Sequence, residues 1–188
     1  ARQVGCEKHV FLGLDVAANE LFDAQKSCYN MKSGCMEAER LIEYYQQLCR
    51  NYPLLYIEDA FHEDDWLHFS QLTSLLPEKQ IVGDDLFATN DERLKMGIEK
   101  KAANTLLLKV NQIGTVSEAL KTAAMAKNNR FEITASLRSG ETNDTFQADL
   151  AVAVGAKQMK LGSPVRGERN GKYNRLMRIE DDLMSAVI

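Results

Sequence analysis

The sequence lacks what would seat it in a membrane or on nucleic acid. No apolar run approaches the about 20 residues of a spanning helix, and a net charge of −4 offers no attraction for a phosphodiester backbone or an anionic membrane surface. The opening ARQVGCEKHV has no apolar stretch of the kind a secretion signal needs. It also has no initiator Met, so the chain is expected to be a segment of something longer. No CxxC pair occurs among Cys6, Cys28, Cys35 and Cys49. They are expected to be reduced thiols, neither disulfides nor zinc ligands. The histidines His9, His62 and His68 are too scattered to form a metal cluster. His62, soon after one predicted strand, is placed to line the mouth of the site, but the favoured reading is a solvated loop histidine. No linker, low-complexity tract or composition break divides the chain, so residues 1–188 are expected to form part of one domain.

What is present is a regular alternation. Short apolar runs bounded by turn signals predict strands at 9–15, 54–59, 80–85, 105–110, 132–138 and 157–161. Their near-continuous apolar character predicts strands covered on both faces. Amphipathic helices are predicted between them. In 36–50, Ala38, Leu41, Ile42, Tyr45, Leu48 and Cys49 share one helical face. Thr89 to Glu92 and Thr115 to Glu118 read as capping boxes, and segments 144–155 and 172–186 complete the series. Alternation of this kind requires parallel strands joined by crossover helices, the α/β class. An open doubly wound sheet would carry one Gly-rich phosphate loop after its first strand, and none is present. A complete (β/α)8 barrel takes about 250 residues. Six units in 188 residues therefore predict a TIM-like barrel without its first two strands.

Each predicted strand ends in a polar or charged residue: Asp15, Glu58, Asp84, Lys109, Arg138 and Lys160. Charge at the end of a buried strand is costly without partners, and in a barrel these ends converge on one mouth. Three acids and three cations there point to a divalent metal and a small anionic substrate. Asp15, Glu58 and Asp84 are hard oxygen ligands suited to Mg²⁺. Taken singly, each acid reads as well as a helix cap or a surface ion pair. Lys109, closing Leu106-Leu107-Leu108, is expected to be buried, which suits a general base. The bland reading of Lys109 is a structural partner for a neighbouring carboxylate. Lys160 has a similar setting, and Arg138 with Ser139 could hold a phosphate by a guanidinium fork and a hydroxyl.

The strings themselves carry a resemblance. FLGLDVAANELF (11–22), YIEDAFHEDDW (56–66), QIVGDDLFATN (80–90), LLLKVNQIGTVSEA (106–119), RSGETNDTFQADLAV (138–152) and KLGSPVRGERNGKYNRLMRIEDDL (160–183) closely resemble, in order and spacing, the C-terminal barrel of the enolase family. The resemblance implies an enolase-type (β/α)8 barrel and a lyase: Mg²⁺-dependent reversible dehydration of 2-phosphoglycerate to phosphoenolpyruvate, a step of glycolysis. It implies a cytoplasmic homodimer. Position by position, Asp15, Glu58 and Asp84 match the ligands of the Mg²⁺, with Glu58 and Asp84 also on the substrate side. Lys109 matches the base that removes the C2 proton, and Lys160 the cation that helps hold the substrate carboxylate. Arg138 and Ser139 match phosphate-binding residues.

Two departures follow from the same comparison. The family places a histidine immediately before its Arg-Ser-Gly, where this chain has Leu137. Asn143, Leu161 and Gly167 also differ from the acid, threonine and serine usual there. The family's N-terminal domain and first two barrel strands, with the mobile closing loop and the general-acid glutamates, have no counterpart in this chain, which by itself is expected to be inactive. The alternative reading is a catalytically degenerate, enolase-like scaffold, which Leu137 favours and the retained acids and lysines oppose. A related dehydratase acting on a non-phosphorylated acid is opposed by the intact Arg138-Ser139-Gly140.

Overall fold

Along the central strands, alternate residues do opposite jobs. Ile57, Ile81, Leu106, Leu108 and Ile133 join the hydrophobic core, while Tyr56, Gln80, Thr105 and Thr134 between them face the other way. In the computed structural model, which describes residues 5, 6 and 8–186, this pattern builds a curved parallel sheet with helices on its outer face. The order is β1 (Leu12–Asp15), a 3-10 turn (Ala18–Glu20), β2 (Phe22–Asp23), β3 (Cys28–Met31), β4 (Gly34–Met36), α1 (Ala38–Asn51), β5 (Leu54–Glu58), α2 (Trp66–Leu75), β6 (Gln80–Gly83), α3 (Asp91–Lys100), β7 (Thr105–Leu108), α4 (Val110–Ile113), α5 (Val116–Asn128), β8 (Glu132–Ser136), α6 (Phe146–Ala153), β9 (Gln158–Lys160) and α7 (Gly167–Ala186).

The large sheet has the order β1-β5-β6-β7-β8-β9, and every neighbouring pair is parallel. It is an incomplete α/β barrel. The sheet curls so far that Lys160, on one edge strand, reaches Asp15 on the other edge. The core lies between sheet and helices, where Leu41, Tyr45, Phe69, Leu72 and Leu94 meet the outward strand residues. Every residue of β6 and β7 is buried, as the apolar runs predict. The concave face is nonetheless partly polar. Gln80 donates to Glu132 at 2.6 Å and Thr134 to Gln158 at 3.4 Å, so polar groups there answer one another rather than apolar neighbours.

Two local expectations change, and one segment takes a form not read from sequence. Asn90, not Thr89, caps α3; its side chain accepts from the amides of Glu92 and Arg93 at 3.0 and 3.1 Å. Thr89 has a left-handed backbone, φ 54°, whereas a cap residue is extended, as Asn90 is at φ −94° and ψ 131°. The segment 22–36 is an antiparallel ribbon, β2-β3-β4. Its short strands and exposed residues gave no usable periodicity. The turn between β3 and β4 brings Cys28 and Cys35 to a Cα separation of 5.8 Å, and the two form a disulfide. That corrects the expectation that all four cysteines are reduced. At α5 the capping box stands: Thr115 accepts from the Glu118 amide at 3.2 Å.

Gly97 in α3 is required by packing. A Cβ there would lie 2.3 Å from Cε1 of Phe87, whose ring is fully buried. Gly97→Ala is expected to destabilise the full-length protein by about 1–3 kcal/mol through overpacking, despite alanine's better helix propensity. A lowered urea midpoint at unchanged slope checks this; an unchanged midpoint would mean that Phe87 moves aside freely.

Candidate functional site

Register decides which strand-end side chains share a face. Asp15 pairs with Glu58, and Glu58 with Val82, so Asp84, two residues beyond Val82, faces the same way. Val82 pairs with Thr105, which puts Lys109 on that side too. Thr105 pairs with Glu132, and Ser136 pairs with Lys160. The concave face therefore carries Asp15, Glu58, Asp84, Lys109, Ser136 and Lys160 at its C-terminal rim.

These groups form two clusters, and the three predicted ligands are divided between them: Asp15 and Glu58 lie in one and Asp84 in the other, and no choice of one oxygen from each brings all three within 4.8 Å of one another. The Lys160 ammonium donates to Asp15 Oδ2 at 2.6 Å and to both Glu58 oxygens at 3.0 Å. The Lys109 ammonium pairs with Asp84 Oδ2, and Gln112 Nε2 donates to Asp84 Oδ1 at 2.7 Å. Lys109 is 7% exposed and Glu58 1%, whereas Asp15 is much more open. Tyr56, beneath, donates its hydroxyl to Glu58 Oε2 at 2.5 Å.

Burial pushes the Glu58 carboxyl above its ordinary range; the Tyr56 hydroxyl and Lys160 offset only part of this. Burial alone would lower Lys160, but its hydrogen bond to Asp15 and the charge of Glu58 outweigh it and hold the ammonium above its usual range. A unit positive charge already draws Asp15 and Glu58 onto one point. The donor set is hard and anionic, the chemistry a small divalent cation selects.

Sequence reasoning missed several residues here. Asp59, in a left-handed conformation at φ 45°, accepts the Asp84 amide at 2.9 Å and the Asp85 amide at 2.8 Å. With both oxygens so engaged, it sets the turn that presents Asp84. Burial, with the charges of Asp84 and Asp85, outweighs the two amide hydrogen bonds and leaves Asp59 pushed up to about 7. Oxygens of Asp59, Asp84 and Asp85 lie within 4.8 Å of one another. Asn19 joins the outer side of this group, donating to Asp85 at 3.0 Å and to Glu63 at 2.9 Å. Thr89, read from sequence as a cap, accepts the Lys109 amide at 2.9 Å and donates to Gln112 at 2.9 Å. It fixes the backbone under Lys109. Only the ED and DD doublets at 58–59 and 84–85 hinted at Asp59; nothing local marks Thr89.

Arg138 and Ser139 stand apart from both clusters. They are exposed in the loop between β8 and α6, and among the described residues neither side chain has a hydrogen-bond partner. Leu137, half-buried, lines an open depression with Val110, Ser136, Glu141, Phe146 and Lys172. His62 is less solvated than expected: its ring packs on Phe22 at 4.7 Å between centroids, and its amide donates to the Tyr29 hydroxyl at 3.0 Å.

The profile of the family described as "Enolase, C-terminal TIM barrel domain" matches residues 1–188. The chain belongs to the enolase family. It is 49% identical over 180 residues to the enolase of Corynebacterium kroppenstedtii, covering 95% of this chain and 42% of that protein. It is 50% identical over 177 residues to the enolase of Methanosarcina mazei, covering 94% and 41%. With the enolase of Methanocaldococcus jannaschii the identity is 50% over 182 residues, covering 97% and 42%. The chain thus spans about two-fifths of the length of these curated relatives. Among the described residues, no helix is long and apolar enough to cross a membrane.

Proposed function

We propose that this chain is the larger part of the barrel of an enolase, and that the full-length protein interconverts 2-phosphoglycerate and phosphoenolpyruvate as a cytoplasmic homodimer. The observation that carries the reading is the rim itself: Lys109 buried against Asp84, and Lys160 shared by Asp15 and Glu58, on one face of adjacent parallel strands. Family membership supports the substrate.

Each residue has a task in that reaction. Lys109 takes the proton from C2; its low exposure removes water that would compete for it. Lys160 holds the substrate carboxylate and so favours the charge that develops beside C2. Arg138 and Ser139 hold the phosphate, and Glu58 and Asp84 border the substrate. Asp15, Glu58 and Asp84 would hold Mg²⁺, which supplies positive charge to the electron-rich form of the substrate. Asp59 keeps Asp84 aimed by clamping the two amides of its turn. Departure of the hydroxyl needs a general acid, a role for which no residue of this chain is assigned.

The test is direct. The full-length protein is expected to form phosphoenolpyruvate from 2-phosphoglycerate when Mg²⁺ is supplied, to stop on chelation, and to recover on readdition. Mg²⁺ binding should also raise the melting temperature of the chelated protein. Undiminished turnover after exhaustive chelation would remove the metal from this reading. No turnover under any condition would leave the scaffold alternative, which Leu137 supports.

A further inference from the structure

Helix α7 lies outside the sheet, yet two of its cations end in the loop that carries Arg138 and Ser139. Lys172 is 1% exposed. Its ammonium donates to the carbonyls of Thr142 at 2.7 Å and Glu168 at 2.9 Å, and pairs with Glu141 Oε2 at 2.9 Å. All three of its donors are thus used. The second oxygen of Glu141 accepts the Arg138 amide at 3.3 Å. Nearly one turn earlier in the helix, Arg169 donates from Nη2 to the carbonyls of Arg138 at 3.1 Å and Ser139 at 2.9 Å.

The consequence follows from peptide planarity. The carbonyl of one residue and the amide of the next lie on opposite sides of a trans peptide. Drawing the carbonyls of Arg138 and Ser139 toward Arg169 turns the amides of Ser139 and Gly140 away from α7. Among the described residues those two amides have no partner, and the space beside the Gly140 Cα is open. Two adjacent outward amides, a hydroxyl and a guanidinium on one short loop are donors of the kind that suit a phosphate. A buried ammonium is weak evidence for stability, since desolvation opposes it, and is better matched to holding one conformation.

We infer that Arg169 and Lys172, the latter through Glu141, are positioning residues that hold loop 138–142 in the shape that receives the phosphate of the substrate. The inference rests on the enolase reading for the identity of that substrate. In the full-length protein, Arg169→Gln and Lys172→Met are expected to raise KM for 2-phosphoglycerate about 10-fold or more, with kcat changed far less, because the phosphate is bound alike in ground and transition states. Affinity for inorganic phosphate, titrated by ³¹P NMR, should fall by a similar factor, and Arg169→Lys should recover part of it. Lys172→Met strands the Glu141 charge, so the Glu141→Gln/Lys172→Met pair provides a folded control without a buried lone charge. Folded variants with unchanged KM and phosphate affinity overturn the inference, as does a fall in kcat alone or a wild type that does not bind phosphate. If the wild type binds phosphate and the variants lose it, but 2-phosphoglycerate is never turned over, the clamp stands and the enolase reading falls.

Discussion

Lys109→Ala in the full-length protein is expected to lower exchange of the C2 proton of 2-phosphoglycerate with solvent by about 10³-fold or more, close to abolition. Positioned general acid–base groups contribute about 10²–10⁴-fold, and the lost ammonium also held Asp84 in place. The fold should survive. Lys109 sits at the rim, its backbone is held separately by Thr89, and Asp84 keeps its bond from Gln112. A modest loss of stability is expected because Asp84 loses its partner in a largely buried setting. Isotope exchange measured beside a melting curve separates the two effects. Exchange near the wild-type rate in a folded variant would take Lys109 out of the mechanism and leave it as the structural partner of Asp84.

The second large effect concerns Leu137. Restoring the family residue with Leu137→His is expected to raise kcat/KM for 2-phosphoglycerate by about one to two decades, given that a hydrogen bond to a charged group contributes about 1.5–3 kcal/mol. Leu137 borders the depression beside Ser136 and Glu141, next to the loop that bears Arg138. An imidazole there gains a charged neighbour in Glu141 and lies next to Arg138 and Ser139, the pair proposed to hold the phosphate. A wild type already as fast as an ordinary enolase, and unchanged by the reversion, would show that Leu137 does not impair the site. Absence of activity in both proteins would favour the scaffold.

Much of this fold and rim is legible in the sequence. Each predicted parallel strand is present, within a few residues of its expected bounds, and the strand ends carry the acids and lysines that register then brings onto one face. Short apolar runs are hard to mistake when turns bound them, and a charge closing such a run needs a reason. The ribbon at 22–36 was not legible. Two- to four-residue strands carry too little alternation to read, and the Cys28–Cys35 pairing depends on how the turn between them closes.

By itself the sequence determined the strand–helix alternation, the identity of the rim charges and the family, because each rests on local patterns or on long motifs in order. Only the tertiary structure decided which charge meets which. Lys160 belongs to Asp15 across a gap of 145 residues in the chain, and Lys109 to Asp84 rather than to Glu58. Asp59 and Thr89 gain their roles from left-handed backbone and from neighbours far along the chain. The buried ammonium of Lys172 finds its partners through the docking of α7 on the loop before α6. Such pairings depend on sheet curl and helix placement, which are set by the packing of the whole core, and no local window of sequence contains them.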